Sequence, residues 1–203
     1  NHSEYSLLDG AQTVDEMASR AAELGMPAMA ITDHGRMGGV LSFYNACHKH
    51  GIKPILGMEA YITGFERSLT ERVDYMKLTK EYEGTPKFER SNYHLILLCK
   101  NYEGYRNLCM LSRESYGKGF YRKPRIDYPT LEKYHDGLIA SSACIIGQVS
   151  NLLLNNDYDG AKRVATWMRD VFGEDYYLEI MNHGLGIEMK VMQDIRRLGR
   201  ELD

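Results

Sequence analysis

The sequence predicts an α/β fold in which βαβ units build a largely parallel sheet or barrel. Short apolar runs of strand length alternate with longer stretches of helical periodicity. Glycines and capping residues mark the boundaries between them. Several apolar runs also end in side chains that ligate metals, as strands do when they deliver chemistry to one edge of a sheet.

Thr13 and Glu16 form a capping box before Met17–Leu24, and Gly25 closes that helix. The run Met26–Ile31 has the length of a buried strand. Gly39–His50 reads as a helix with Val40, Phe43, Tyr44 and Cys47 on one face, ended by Gly51. Pro54–Ile62 is the next strand and His94–Lys100 another, followed by a helix from Tyr102 to Tyr116. Gly137–Ala143 reads as a strand, Ile145–Leu154 and Asp157–Phe172 as helices, Tyr176–Met181 as a strand and Ile187–Leu202 as a helix. Residues 63–92 break the rhythm. They are polar and charged, and they predict a surface excursion in which Leu69–Tyr82 has a helical option.

A chain of 203 residues suits one domain with a real core. Its net charge of −3 does not indicate a generally basic nucleic-acid binder, so a phosphate substrate would need bound cations and a local basic patch. Cys47, Cys99, Cys109 and Cys144 form no CxxC pair, which points to a reducing compartment without a disulfide framework. No apolar stretch reaches the ~18 residues that a membrane helix needs. No Walker A, GxGxxG or GxSxG pattern is present, which argues against P-loop and serine-hydrolase chemistry. The chain opens at Asn1 and stops within a helical pattern at Asp203, and it reads as a fragment of something longer.

Thr32-Asp33-His34-Gly35 is the strongest local signal: a strand ends in hydroxyl, carboxylate and imidazole, with Asp33 placed to orient the His34 ring. The alternative is a polar turn whose Asp caps the next helix. Glu59 sits inside an apolar strand, where a carboxylate is costly unless paired or metal-bound, or else it points to solvent. His94 begins a strand. It fits poorly the rule that barrel sites gather at C-terminal strand ends, and a lone His there is more often structural. Cys144 is either a soft thiolate ligand or a buried apolar thiol, and the other cysteines suit the second description better. His2 and Asp9 flank a loop-like stretch that also suits a frayed terminus. His48 and His50 read as helix-end residues, His135 as an exposed loop residue, and His183 as a reserve ligand closing a strand. Tyr116–Arg125 is basic with interleaved aromatics. Lys118, Arg122, Lys123 and Arg125 are its candidate phosphate or DNA contacts, and a solvated loop pinned by its aromatics is the alternative.

Three segments stand in order: His2-Ser3-Glu4-Tyr5-Ser6-Leu7-Leu8-Asp9-Gly10-Ala11, then Met26-Pro27-Ala28 through Thr32-Asp33-His34-Gly35, then Gly51-Ile52-Lys53-Pro54-Ile55-Leu56-Gly57-Met58-Glu59-Ala60-Tyr61. Gly119–Asp127 and Tyr177-Leu178-Glu179 through His183-Gly184-Leu185 follow. The series resembles the polymerase-and-histidinol-phosphatase (PHP) superfamily. It most resembles the PHP domain at the N-terminus of bacterial DNA polymerase III alpha subunits.

The resemblance implies a PHP domain over residues 1–203, with an excursion at 63–92, folded as a distorted (β/α)7-type PHP barrel that is incomplete in this fragment. It implies up to three divalent metal ions (zinc, manganese or magnesium), with His2, Asp9, His34, Glu59, His94 and Cys144 at matching ligand positions and no separate protein nucleophile. The first His of an opening His-x-His motif is missing before Asn1, and a final Asp-x-His motif would lie beyond Asp203. The fragment is therefore expected to bind metal more weakly than its parent and to be inactive alone. The implied activity is that of a metal-dependent phosphoesterase acting as a 3′–5′ exonuclease. Its parent would be a cytoplasmic DNA-directed DNA polymerase, partnered by DNA and other replicase subunits and not by membrane. A stand-alone PHP phosphatase for a small phosphate monoester and a non-catalytic structural module of the polymerase are the other readings.

Overall fold

A computed structural model describes residues 1–72, 76–82 and 85–202. Helix α1 (Val14–Glu23) starts at the expected capping box: the Thr13 hydroxyl accepts from Glu16 N–H at 3.3 Å, and Thr13 N–H donates to the Glu16 carboxylate at 2.8 Å. Strand β1 (Ala28–Ile31) leads to α2 (Val40–Lys49) and β2 (Lys53–Ile62). Met17, Ala18 and Ala21 of α1 pack with Val40, Phe43 and Cys47 of α2 and with Ile31, forming a small core on one side of the sheet. Tyr44, expected on the buried face of α2, is 42% exposed.

Residues 63–92 do not continue the α/β rhythm. Strands β3 (Met76–Tyr82) and β4 (Thr85–Arg90) pair antiparallel as a separate two-stranded sheet. This replaces the helical option for Leu69–Tyr82, since Leu69 and Thr70 form a turn and Met76–Tyr82 a strand. Thr79, Tyr82, Thr85 and Phe88 are residue types that favour a pleated strand over a helix. Gly84, part of the expected break, lies outside the described residues.

The chain returns through β5 (Tyr93–Cys99), α3 (Tyr102–Gly117), the two-residue β6 (Arg125–Ile126), α4 (Tyr128–Lys133) and β7 (Leu138–Ser141). Helices α5 (Gln148–Leu154) and α6 (Tyr158–Phe172), a short β8 (Tyr176–Tyr177) and α7 (Gly186–Leu202) complete it. The sequence reading missed β6 and α4, although Asp127 caps α4 by accepting from Thr130 N–H at 3.0 Å and Pro129 sits in its first turn. The strand expected over Tyr176–Met181 shrinks to Tyr176–Tyr177.

The main sheet has the order β1-β2-β5-β7-β8, with β6 pairing β2, and among the described residues it is open. The α/β class holds, but the sheet is mixed, not largely parallel. The pairs β1/β2, β2/β6 and β7/β8 are parallel, whereas β2/β5 and β5/β7 are antiparallel. Among the described residues the β3–β4 excursion supplies no crossover helix between β2 and β5, and a parallel neighbour requires a crossover.

This inversion positions the site. Because β5 runs against β2, its first residues lie beside the last residues of β2: His94 pairs with Tyr61, and Tyr93 with Ile62. Alternation then separates two faces. Met58, Ala60, Ile62, Leu95 and Leu97 are buried in the main core with Leu108, Leu111, Leu138 and Ala140. Glu59, Tyr61, His94 and Ser141 belong to the other register of the same paired strands. Away from this edge, Val40, Leu41, Tyr44, Leu56, Tyr105 and Ile139 help line an open, mostly apolar cleft of about 710 Å³.

Candidate metal centre

His34 follows β1 and bridges to Glu59 near the end of β2. Gly35 makes the turn possible. Its φ is +61°, and a Cβ there would lie 2.8 Å from Tyr61 and Pro124 side-chain atoms. The N-terminal loop is pinned against this strand end. Thr32 N–H donates to the Asn1 carbonyl at 2.9 Å. Ser3 donates to both Asp33 oxygens, from N–H at 2.7 Å and from its hydroxyl at 2.8 Å. Ser6 Oγ donates to Asp33 at 2.7 Å and accepts from His34 N–H at 3.0 Å. Asp33 is 2% exposed. It therefore clamps the loop that carries His2 and Asp9, and this replaces the expected hydrogen bond to the His34 imidazole. The expectation failed because Ser3 and Ser6, about thirty positions upstream, satisfy the carboxylate first.

The clamped loop brings His2 and Asp9 to His34 and Glu59. The His2 and His34 rings stack with centroids 4.0 Å apart. Asp9 lies 2.7 Å from His34 Nε2 and 3.7 Å from His2 Nε2. Glu59 lies 3.0 Å from His2 Nε2 and 3.7 Å from His34 Nδ1. Its second neighbourhood comes from β5 and the turn after β7. His94 Nδ1 is in direct contact with Glu59, and Cys144 Sγ is 3.5 Å from the same nitrogen. Ile146 N–H donates to Cys144 Sγ at 3.4 Å. The donor atoms form two groups, His2–His34–Glu59 and Glu59–His94–Cys144, each within 4.8 Å and sharing Glu59.

Glu59 is 6% exposed and does not point to solvent. Burial alone would raise its carboxyl, but hydrogen bonds from His2 and His94 and the nearby His94 and His34 charges hold it well below the usual range. Burial likewise works to lower His94, yet Cys144 and Glu59 push it up to about 9. By contrast, burial pushes Cys47 up to about 11 and Cys99 up to about 12, as expected of inert apolar thiols. His2 Nδ1 and His34 Nδ1 are buried without a hydrogen-bond partner. Buried polar atoms are rarely left so, and imidazole, carboxylate and thiolate donors in one place suit a divalent cation. Leu8 (φ 71°) and Ala143 (φ 60°) hold left-handed backbone immediately before Asp9 and Cys144, strain of the kind that gathers at functional sites.

Two contributors escaped the sequence reading. Tyr61 floors the site, with its ring 6.1 Å from that of His34 and 5.4 Å from that of His94. Glu179 accepts from Ser141 Oγ, donates its own N–H to the Ser142 hydroxyl at 2.8 Å, and shares a small pocket with Cys144. Its signal was an acid inside an apolar run, the same signal that singled out Glu59. His183 stands apart from both donor groups: its ring is 68% exposed, and its Nδ1 and N–H each lie 2.7 Å from Glu188.

The four basic candidates divide. Lys118 pairs with Glu114 at 2.7 Å across one helical turn. Arg125 is 2% exposed and cannot serve as a DNA contact. It donates to the carbonyls of Gly119, Glu71 and Leu69 at 3.0–3.2 Å and so ties the loop to the excursion. Arg122 lies 5.5 Å from the Tyr121 ring centre, and Lys123 5.1 Å from that of Tyr61.

The family model described as "PHP domain" matches residues 1–183. The chain is 43% identical over 201 residues to the DNA polymerase III subunit alpha of Borreliella burgdorferi, covering 99% of this chain and 16% of that protein. It is 41% identical over 213 residues to that of Campylobacter jejuni, covering 100% and 16%. It is 39% identical over 202 residues to that of Aquifex aeolicus, covering 100% and 17%. The chain thus spans 16–17% of the length of these relatives. Among the described residues, no helix is long and apolar enough to cross a membrane.

Proposed function

Because this chain belongs to the PHP domain family, we propose that its donor cluster binds divalent metal and hydrolyses phosphate esters, with the 3′ end of DNA as substrate. The observation that carries this reading is Glu59, one buried carboxylate common to two groups of donors. The long relatives named for DNA polymerase III subunit alpha support a parent that extends DNA with other replicase subunits, in preference to a stand-alone phosphatase.

His2, His34 and Glu59 would hold one cation and Glu59, His94 and Cys144 another, with Asp9 beside the first. Divalent metal in such a site screens phosphate charge and acidifies a bound water enough for attack near neutral pH. The residues supply the rest. Glu59 is ionised across the physiological range, so it is a ready anionic donor. Ser3, Ser6 and Asp33 fix the loop so that His2 and Asp9 need no reordering. Tyr61 packs its ring beside those of His34 and His94.

Metal content and release of 3′-labelled nucleotide from single-stranded DNA test this, in the parent polypeptide. Glu59→Ala is expected to lose bound manganese or zinc and to slow release at least ~100-fold, the scale of removing transition-state electrostatics. Equal metal content and equal release in wild type and variant would defeat the proposal.

A further inference from the structure

The 119–125 segment is tied down at several points. Arg125 anchors one end through its bonds to backbone carbonyls. Tyr121 N–H donates to the Lys123 carbonyl at 3.1 Å, and Arg122 adopts a left-handed φ of 61°. Arg125 and Ile126 then pair in parallel with Tyr61 and Ile62. The resulting turn holds the Lys123 ammonium over the ring of Tyr61, which itself abuts His34 and His94.

Four other surface lysines have acid partners: Lys49 with Asp15 at 2.9 Å, Lys100 with Asp175 at 2.7 Å, Lys118 with Glu114 at 2.7 Å and Lys162 with Glu201 at 2.7 Å, whereas Lys133 lies 5.0 Å from the Tyr134 ring centre and Lys190 donates to the Leu154 carbonyl at 3.3 Å. Lys123 is exposed, and no described carboxylate pairs with it. Lys123 therefore places a cation beside a site whose own side chains are acids, imidazoles and a thiol.

We propose that Lys123 binds a non-bridging oxygen of the substrate phosphate, so that the pocket selects phosphate esters by a cation fixed on the Tyr61 ring. The inference deepens the phosphoesterase reading and rests on it. A lysine acts here as a point charge on a preset platform, and the aromatic face limits the side-chain freedom lost on binding.

The test compares wild type with Lys123→Met and Lys123→Arg, each loaded with manganese and each metal-free. Calorimetry with inorganic phosphate reads the site without turnover, and hydrolysis of a p-nitrophenyl ester of thymidine monophosphate reads it with turnover. Lys123→Met should weaken phosphate binding about tenfold and raise KM by a similar factor with kcat within about threefold, the pattern of lost uniform binding. Lys123→Arg should recover most of the loss, and manganese stoichiometry should match in all three proteins. Equal phosphate affinity in wild type and Lys123→Met overturns the proposal, as does a wild type that binds no phosphate in either state. If wild type hydrolyses no ester but phosphate binding still falls in the Met variant, the anion site stands and the phosphoesterase reading falls.

Discussion

The two donor groups that meet at Glu59 are built by different means. His94 arrives on β5, inside the hydrogen-bonded sheet, and Cys144 on the turn that follows β7. His2 and Asp9 arrive on a loop without regular structure, held by one buried carboxylate. The sheet-borne group inherits its geometry from strand register, whereas the loop-borne group inherits it from Asp33. Remote damage should therefore separate them.

The largest effect short of removing Glu59 is expected from Asp33→Ala. It strands the Ser3 and Ser6 donors in a buried site, which costs about 3 kcal/mol and frees the loop. Thermal denaturation together with metal titration should show loss of one metal class while the sheet-borne class persists. Retention of both classes, or simultaneous loss of both, breaks the comparison.

The next effect concerns pH in the chelator-treated protein. The folded-state value of Glu59 is depressed, so its contribution is present above the ordinary 4.5 and is lost as pH falls through the folded value. The folded-state value of His94 is raised, so its contribution is complete below 6.5 and is lost as pH rises toward about 9. Stability should peak between these limits, and the alkaline arm should cost at most about 3 kcal/mol. Urea midpoints across that arm measure it. Bound metal, which takes neutral imidazole, should flatten the arm, and an arm that is equally steep with metal present counts against ligation by His94.

The smallest effect is expected from Cys144→Ser, which exchanges a soft donor for a hard one within the sheet-borne group. Zinc affinity of that group should fall about 10–100-fold, with the loop-borne group changed less and manganese affected less. Competitive chelator titrations resolve this, and an equal fall for both metals removes the thiolate from the ligand set.

Much of the fold was legible because its signals are local. The Thr13–Glu16 box, the glycine stops and the alternating apolar runs each act within one turn or strand. What escaped was non-local. His94 looked misplaced because sequence does not state strand direction, and only the inverted β5 puts its first residues beside the end of β2. The clamping by Asp33 depends on Ser3 and Ser6, which the chain separates from it by some thirty residues. Arg125 read as an exposed cation beside aromatics, yet its guanidinium is spent on carbonyls of a segment more than fifty residues earlier. Glu59 was legible as an anomaly, an acid in an apolar strand, but its neighbours were not.

Glu59 lends one oxygen pair to both halves of the cluster. Guests in the two halves would then draw on the same electron density and cannot settle independently. Whatever factor the first arrival imposes on the second, the second must return to the first. A binding curve would then bend away from the sum of two separate isotherms, and depletion of either guest would change the hold on the other by that same factor.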